Sequence, residues 1–464
     1  MKMKKIVVLG LSLSILTGGI SGCNQSKEGE DGRVAISIGD WPDESNTKGY
    51  ELADKNRKEF EEKNPDIKIV PDTYVYDTKT FTMKAMAHQL PTMFGTWYTE
   101  INQLIKGGYV ADVTEYMEKY GYIKIFNPDL IKTVSDENGR IYGFPTGAYS
   151  MGLTINKTLF REAGLINEDG TVMIPDTYEQ MAEYAKIIKE KTGKSGFCIC
   201  TTNNCGGWHF MNIAWSYGVN FMEKDENGKW KATFDTPEAA EALQYIKDLK
   251  WKYDVLLDDQ VIDQPTAHKM LGTGQTAMFF EAPGSADYSV KYGMDLKELA
   301  VAKMPAGPKG RYTQMGGGLK MFSADATPEQ LDACFRYLQE NGYSTELTDE
   351  EYKQTEESYK LALARGQIIL DKDPFPVWVD GERVEKLREL RLKYININPT
   401  DFESYYDFSD TILKPEEPAC AQQLYAVLDK CIQEVISNEN ADPAKIMADA
   451  CQEFQINHLD KMDY

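Results

Sequence analysis

Histidine is scarce in this chain. The four residues, at 88, 209, 268 and 458, include no pair at the spacing of a helical metal site. No Gly-x-Ser-x-Gly elbow and no His-Glu-x-x-His is present, which removes the commonest serine-hydrolase and zinc-protease signatures. "TGKSG" at 192–196 lacks the upstream glycine of a phosphate-binding loop. Gly272-x-Gly274 lacks the third glycine of a dinucleotide loop. Basic charge is also short: 51 Lys and Arg stand against 73 Asp and Glu, a net charge of −22 without a basic stripe. An acidic surface favours solubility and excludes a nucleic-acid binder, which needs a cationic footprint. Low-complexity blocks are missing too.

Long apolar runs are limited to one. Residues 6–20, IVVLGLSLSILTGGI, follow Lys2, Lys4 and Lys5. The run is short for a membrane-spanning helix, which needs about 20 residues, and suits a secretory leader. Ser21 and Gly22 then precede Cys23. Ile20-Ser21-Gly22-Cys23 resembles the lipobox of bacterial lipoproteins, cut before a cysteine whose thiol is then acylated. Several acyl chains hold a protein at a membrane far better than one. The expectation is a leader over 1–22, a lipid-anchored tether over 23–32, and a soluble remainder on the extracytoplasmic face of the cell membrane. The rivals are a plain signal peptide cut near Ser21 and a short membrane anchor.

Beyond Cys23 the cysteines number seven, an odd count. Cys198-x-Cys200 with Cys205 lacks the paired spacing of structural zinc sites, so free buried thiols are expected, with a disulfide at Cys205 as the alternative in an oxidising compartment. No metal and no cofactor is expected.

What is present points to a two-domain α/β protein. Val34, Ile36 and Ile38 alternate as in a strand. A charged helix ends near Asn64-Pro65, and a second strand follows at Ile67 and Ile69. Strand, helix, strand begins a parallel sheet. Thr177 to Gln180 is read as a capping box, and Thr236-Pro237-Glu238 and Thr327-Pro328-Glu329 open further helices. "SDENGRIYG", "NEDGTVMIP" and "KDENGKWKATF" read as hairpin turns; the two Asp-x-Asn-Gly runs lack the distal glutamate of a calcium loop.

At 141–165, IYGFPTGAYSMGLTINKTLFREAGL, a family resemblance emerges. Tyr142, Gly143 and Pro145 precede a strand running into Asn156, Lys157, Phe160, Ala163, Gly164 and Leu165. The segments 60–70, 89–117, 270–287 and 301–322 continue it in order. The chain resembles the family 1, carbohydrate-uptake type of extracellular solute-binding proteins of ABC importers. It departs from that pattern at Ile155, where Tyr is common, and at Ala282-Pro283-Gly284, where Gly-x-Trp is common.

The resemblance implies a two-lobe, periplasmic-binding-protein-like type II α/β fold with hinge crossovers and an interlobe cleft. One lobe would take 33–146 plus 278–319, the other 147–277 plus 320–464. Crossings would fall in "FPTGAYS", "AMFFEAP" and "MGGGLKM". Ligand binding between lobes would favour the closed state through contacts with both. A sugar needs flat rings for its C–H faces and polar groups for its hydroxyls. The candidates are Trp41, Asp43, Tyr76, Trp97, Tyr149, Trp208, Glu281 and Gly317, with Trp378 behind them; Trp215, Trp230 and Trp251 read as structural. The extra residues near 343–415 read as a larger cleft for an oligosaccharide. The implied partners are a small sugar or oligosaccharide, separate ABC permease subunits and the membrane lipid, with the protein a monomer and not an enzyme. The alternatives are a peptide, polyamine or other non-sugar ligand, a sensor or adhesin on the same fold, and a surface-anchored carbohydrate-active enzyme.

Overall fold

A computed structural model describes residues 32–462 apart from 260 and 374. The leader, Cys23 and nearly all of the tether lie outside the described residues. Among the described residues, no helix is long and apolar enough to cross a membrane.

Twelve strands are present among the described residues: β1 Val34–Ile38, β2 Ile67–Pro71, β3 Met93–Trp97, β4 Gly143–Ser150, β5 Gly152–Asn156, β6 Met222–Lys224, β7 Trp230–Ala232, β8 Met278–Glu281, β9 Leu299–Ala302, β10 Ala306–Gly307, β11 Gly310–Phe322 and β12 Thr411–Pro415. The expected strand–helix–strand opening is β1, the helix Thr47–Lys63 and β2, with β1 and β2 parallel over five residue pairs. The Asn46 side chain accepts from Gly49 N and starts that helix. Thr327 and Gln330 form a complete capping box. Thr177 completes only half of one: its hydroxyl accepts from Gln180 N, but Gln180 Oε1 accepts from Asp176 N instead.

The fold is a two-lobe α/β architecture. The first lobe is built on the order β2-β1-β3-β11, in which β11 runs antiparallel to β3. The second holds the antiparallel sheet β8-β5-β9 and the hairpin β6-β7. The 13-residue β11 joins them. Its start pairs with β12 and its end with β3 and β4. Tyr312 packs against the second lobe's core, while Met315, Leu319, Met321 and Phe322 are buried in the first. β4 lies antiparallel beside β11, so "FPTGAYS" and "MGGGLKM" run side by side.

The expected boundaries shift in two places. "AMFFEAP" is no crossing: β8 pairs with β5, and Met278, Phe279 and Phe280 are buried on the second-lobe side. Residues 278–302 thus pack with the second lobe. Conversely, the helix Pro328–Leu338 buries Leu331, Cys334, Phe335 and Leu338 in the first lobe's core. Its apolar stripe matches the uncovered face of β1 rather than any surface of the second lobe.

The segment 343–415 lies along both lobes. Trp378 stacks edge-on against Phe126, with ring centroids 4.7 Å apart. Tyr405 bonds Ser150, hydroxyl to hydroxyl at 2.5 Å.

Candidate functional site: a cleft walled by aromatic rings

Between the lobes lies a cleft of about 340 Å³. Five of the eight sequence candidates line it: Trp97, Tyr149, Trp208, Glu281 and Gly317. Each arrives from a different element. Trp97 ends β3, Tyr149 lies near the end of β4, Trp208 sits in the first turn of the helix Cys205–Tyr217, Glu281 ends β8, and Gly317 is in the middle of β11.

Trp97 is 42% exposed, an unusual state for a tryptophan. Its ring is held edge-on by Tyr76, centroids 5.5 Å apart. Tyr149 and Trp208, also in the lining, meet edge-to-face at 6.1 Å and 82°. Tyr149 needs the glycines of β11. A Cβ on Gly316 would stand 2.4 Å from the Tyr149 hydroxyl. Gly317 has φ +157, and a Cβ there would lie 2.2 Å from Gly147 O. The β4–β11 register slips just beyond, between Gly318 and Leu319.

Gly206 and Gly207 let a neighbouring backbone approach closely. A Cβ on Gly207 would fall 2.3 Å from Tyr425 O, on the helix Ala421–Ser437. From that helix Asp429 accepts from Asn204 N at 2.7 Å and Gly207 N at 2.8 Å. It thereby caps the helix that carries Trp208.

Polar groups complete the wall. Glu281 is 1% exposed and accepts from Gln264 Nε2 at 2.6 Å and from Ala282 N at 2.7 Å. His268 Nε2 lies 3.0 Å from it. Glu416 accepts from Gln314 Nε2 and from the Tyr425 hydroxyl, both at 2.9 Å. Burial nevertheless pushes its carboxyl up to about 7. Asn203, Asn204 and Gln422 add amides, and Asn204 Nδ2 donates to Gln422 at 3.2 Å. Among the described residues, the lining contains no lysine or arginine.

Three candidates do not line the cleft. Trp41 is buried in the first lobe's core because the chain turns inward after Asp40, at φ +57. Asp43 is exposed and accepts from Ser45 N in a local turn. Tyr76 is buried behind Trp97, its hydroxyl donating to Glu100 at 2.5 Å. Trp378 lies in the first lobe's core, and the described residues of 343–415 are not among the residues that line this cleft. Part of the extension packs on hydrophobic cores instead, through Val377 and Trp378 on one and Phe402 and Tyr405 on another.

Glu416, Gln422 and Tyr425 were missed in the sequence. They lie in "KPEEPACAQQLYAV", which matches no motif, and reach the cleft only through the pairing of β12 with β11. Asn203 and Asn204 carried one legible signal, adjacency to the paired glycines. Both adopt left-handed backbone, at φ +57 and +67. All seven described cysteines are free thiols.

Comparison with known proteins follows this geometry. The chain is 24% identical over 348 residues to the arabinooligosaccharide-binding protein of Bacillus subtilis (strain 168), covering 71% of this chain and 73% of that one. The fold is similar to maltose-bound MalE3 of T. maritima, with TM-score 0.64, 19% identity and coverage of 91% and 99%. It is also similar to UgpB of Mycobacterium tuberculosis in complex with glycerophosphocholine, with TM-score 0.65, 14% identity and coverage of 91% and 98%. The profile of the bacterial extracellular solute-binding proteins matches residues 43–344, and the chain belongs to that family.

Proposed function

We propose that this protein captures a neutral sugar or oligosaccharide in its interlobe cleft and delivers it to the membrane permease of an ABC importer. The observation that carries the reading is the convergence of three aromatic rings, Trp97, Tyr149 and Trp208, on one cleft that amide and carboxylate side chains also line. Flat rings lining a cleft suit the C–H faces of a pyranose, while amides and carboxylates suit its hydroxyls. A ligand touching both walls favours the closed state by its differential affinity. The acidic lining argues against a phosphate-bearing solute, since a phosphate is held by Arg, Lys or free backbone N–H groups. Here the nearby helix start is already capped by Asp429.

The five lining candidates are proposed as ligand contacts, with Asn204, Glu416 and Gln422 beside them. Delivery requires the protein to stay near its permease. Acylation at Cys23, followed by the polar tether, would hold it at the extracytoplasmic face of the membrane. It would act as a monomer and without turnover of the ligand.

The test is thermal unfolding of the protein against mono- and oligosaccharides, peptides, polyamines and glycerol phosphates. At a hundred times Kd a ligand adds about 2.7 kcal/mol of stability. A shift within one glycan series, with the glycan recovered intact, supports the reading. A shift only with peptides, amines or phosphates refutes the sugar.

A further inference from the structure

Three soft donors converge in the wall of the cleft. The ligating atoms of Cys200, Cys205 and His209 lie within 4.8 Å of one another. Cys205 and His209 stand four residues apart on the helix Cys205–Tyr217 and therefore on one face of it. The left-handed pair Asn203–Asn204 turns the chain so that Cys200 comes back against them. The spacing in sequence hid this, because two thiols and an imidazole are joined by a turn rather than by a paired Cys-x₂-Cys.

The separations fit a metal. With Zn–S of about 2.3 Å and Zn–N of about 2.0–2.1 Å, a tetrahedral site places sulfur and nitrogen about 3.6 Å apart. Cys205 Sγ and His209 Nε2 are 3.7 Å apart. Two sulfurs on such an ion stand about 3.8 Å apart, so Cys200 needs a shift of about 1 Å at most. His209 is fully buried, and its Nδ1 has no hydrogen-bond partner. The contact with Cys205 is thus the hydrogen bond recorded for that ring. Cys200 is fully buried, whereas Cys205 is 7% exposed and lines the cleft, which provides an entry path.

We infer that Cys200, Cys205 and His209 form a three-ligand site for a thiolate-seeking divalent ion of the zinc class, its fourth position open toward the cleft. Each thiol releases its proton to solvent as its sulfur binds, so two thiolates balance the two charges of the ion. Three protein ligands with one open position is the arrangement of an accessible zinc rather than a purely structural one. The site stands whichever solute the cleft takes.

The test uses the whole purified protein, reduced and chelator-treated under anaerobic conditions, and titrated with Co²⁺. The expected result is a thiolate-to-cobalt charge-transfer band that saturates at one equivalent and is abolished by added Zn²⁺. Cys200→Ser and Cys205→Ser should each lose most of the band, and Cys420→Ser, at a half-buried cysteine outside the trio, should keep it. If the buried Cys200→Ser variant fails to fold, the unaltered protein still decides. Iodoacetamide labelling mapped by mass spectrometry should show Zn²⁺ shielding Cys205 at least tenfold while Cys420 still reacts. No charge-transfer band, a band that survives Cys205→Ser, or labelling of Cys205 that Zn²⁺ does not slow would overturn the site.

Discussion

The Tyr76 ring stands edge-on to the Trp97 ring, centroids 5.5 Å apart and planes at 80°. The buried tyrosine is thus the support and the exposed tryptophan the presented surface. Trp97→Ala should lower ligand affinity by about tenfold, which corresponds to about 1.4 kcal/mol, near the upper end for an aromatic contact. It should barely change the stability of the free protein. Tyr76→Phe should do the opposite. It removes the hydroxyl that donates to Glu100, a buried carboxyl already raised by desolvation, and should cost about 1–2 kcal/mol of folding stability. Calorimetric titration and urea unfolding of both variants separate the two roles.

Gly317 is expected to tolerate no side chain. At φ +157, with Gly147 O 2.2 Å from a Cβ and the Tyr98 ring 2.7 Å away, Gly317→Ala strains the backbone and pushes β11 from β4. A loss of about 2–3 kcal/mol is expected in urea unfolding. Because these strands join the lobes, ligand affinity should fall as well. Gly318→Ala serves as the control, since its Cβ would meet nothing nearer than Thr146 Oγ1 at 3.5 Å.

The Asn156-Lys157 pair marks the family in the sequence but does not line the cleft. Asn156 caps the helix Lys157–Ala163, accepting from Leu159 N at 3.3 Å. Lys157 Nζ reaches Asp401 at 2.6 Å, with the two side chains 11% and 4% exposed. Lys157→Met should destabilise by about 3 kcal/mol, because it leaves a buried carboxylate without its cation. Adding Asp401→Leu should recover part of that loss. A double-mutant cycle in urea measures the coupling, and a cycle that closes at zero would show the pair to be inert.

How much of this was legible follows from where the information sits. Trp97, Tyr149 and Glu281 lie at or near strand ends, and Trp208 and Gly317 lie in glycine-bearing segments, which local patterns reveal. Trp41 has the same local signature, following β1 directly. What sends it inward is the left-handed turn at Asp40, whose carboxylate accepts from Gly95 N at 2.8 Å and Lys320 Nζ at 2.7 Å. Those partners lie 55 and 280 residues away and leave no trace in a local window. Glu416 and Tyr425 are invisible for the same reason. The lobe boundary at 278 misled because β8 and β9 could pair with either sheet, and only their register with β5 decides it.

Glu416 should make the protein's behaviour depend on pH near neutrality. Burial raises its carboxyl from about 4.5 to about 7, against the hydrogen bonds from Tyr425 and Gln314, and the charge of Glu100 acts in the same direction as burial. A raised acid is protonated in the folded chain at pH values where the unfolded chain has lost that proton. Between those two values the folded state binds more protons, so stability falls as pH rises, with a slope from this group approaching 1.4 kcal/mol per pH unit. Below about 4.5 the penalty vanishes, and above about 7 it is complete and constant. Glu416→Gln keeps the shape and removes the titration. Urea unfolding at pH 5 and pH 7.5 should therefore show a smaller decline in the variant than in the unaltered protein. Equal declines would mean that Glu416 is already ionised at pH 5. Ligand affinity should follow the same titration, because the protonated carboxyl can donate to a hydroxyl oxygen while the carboxylate only accepts.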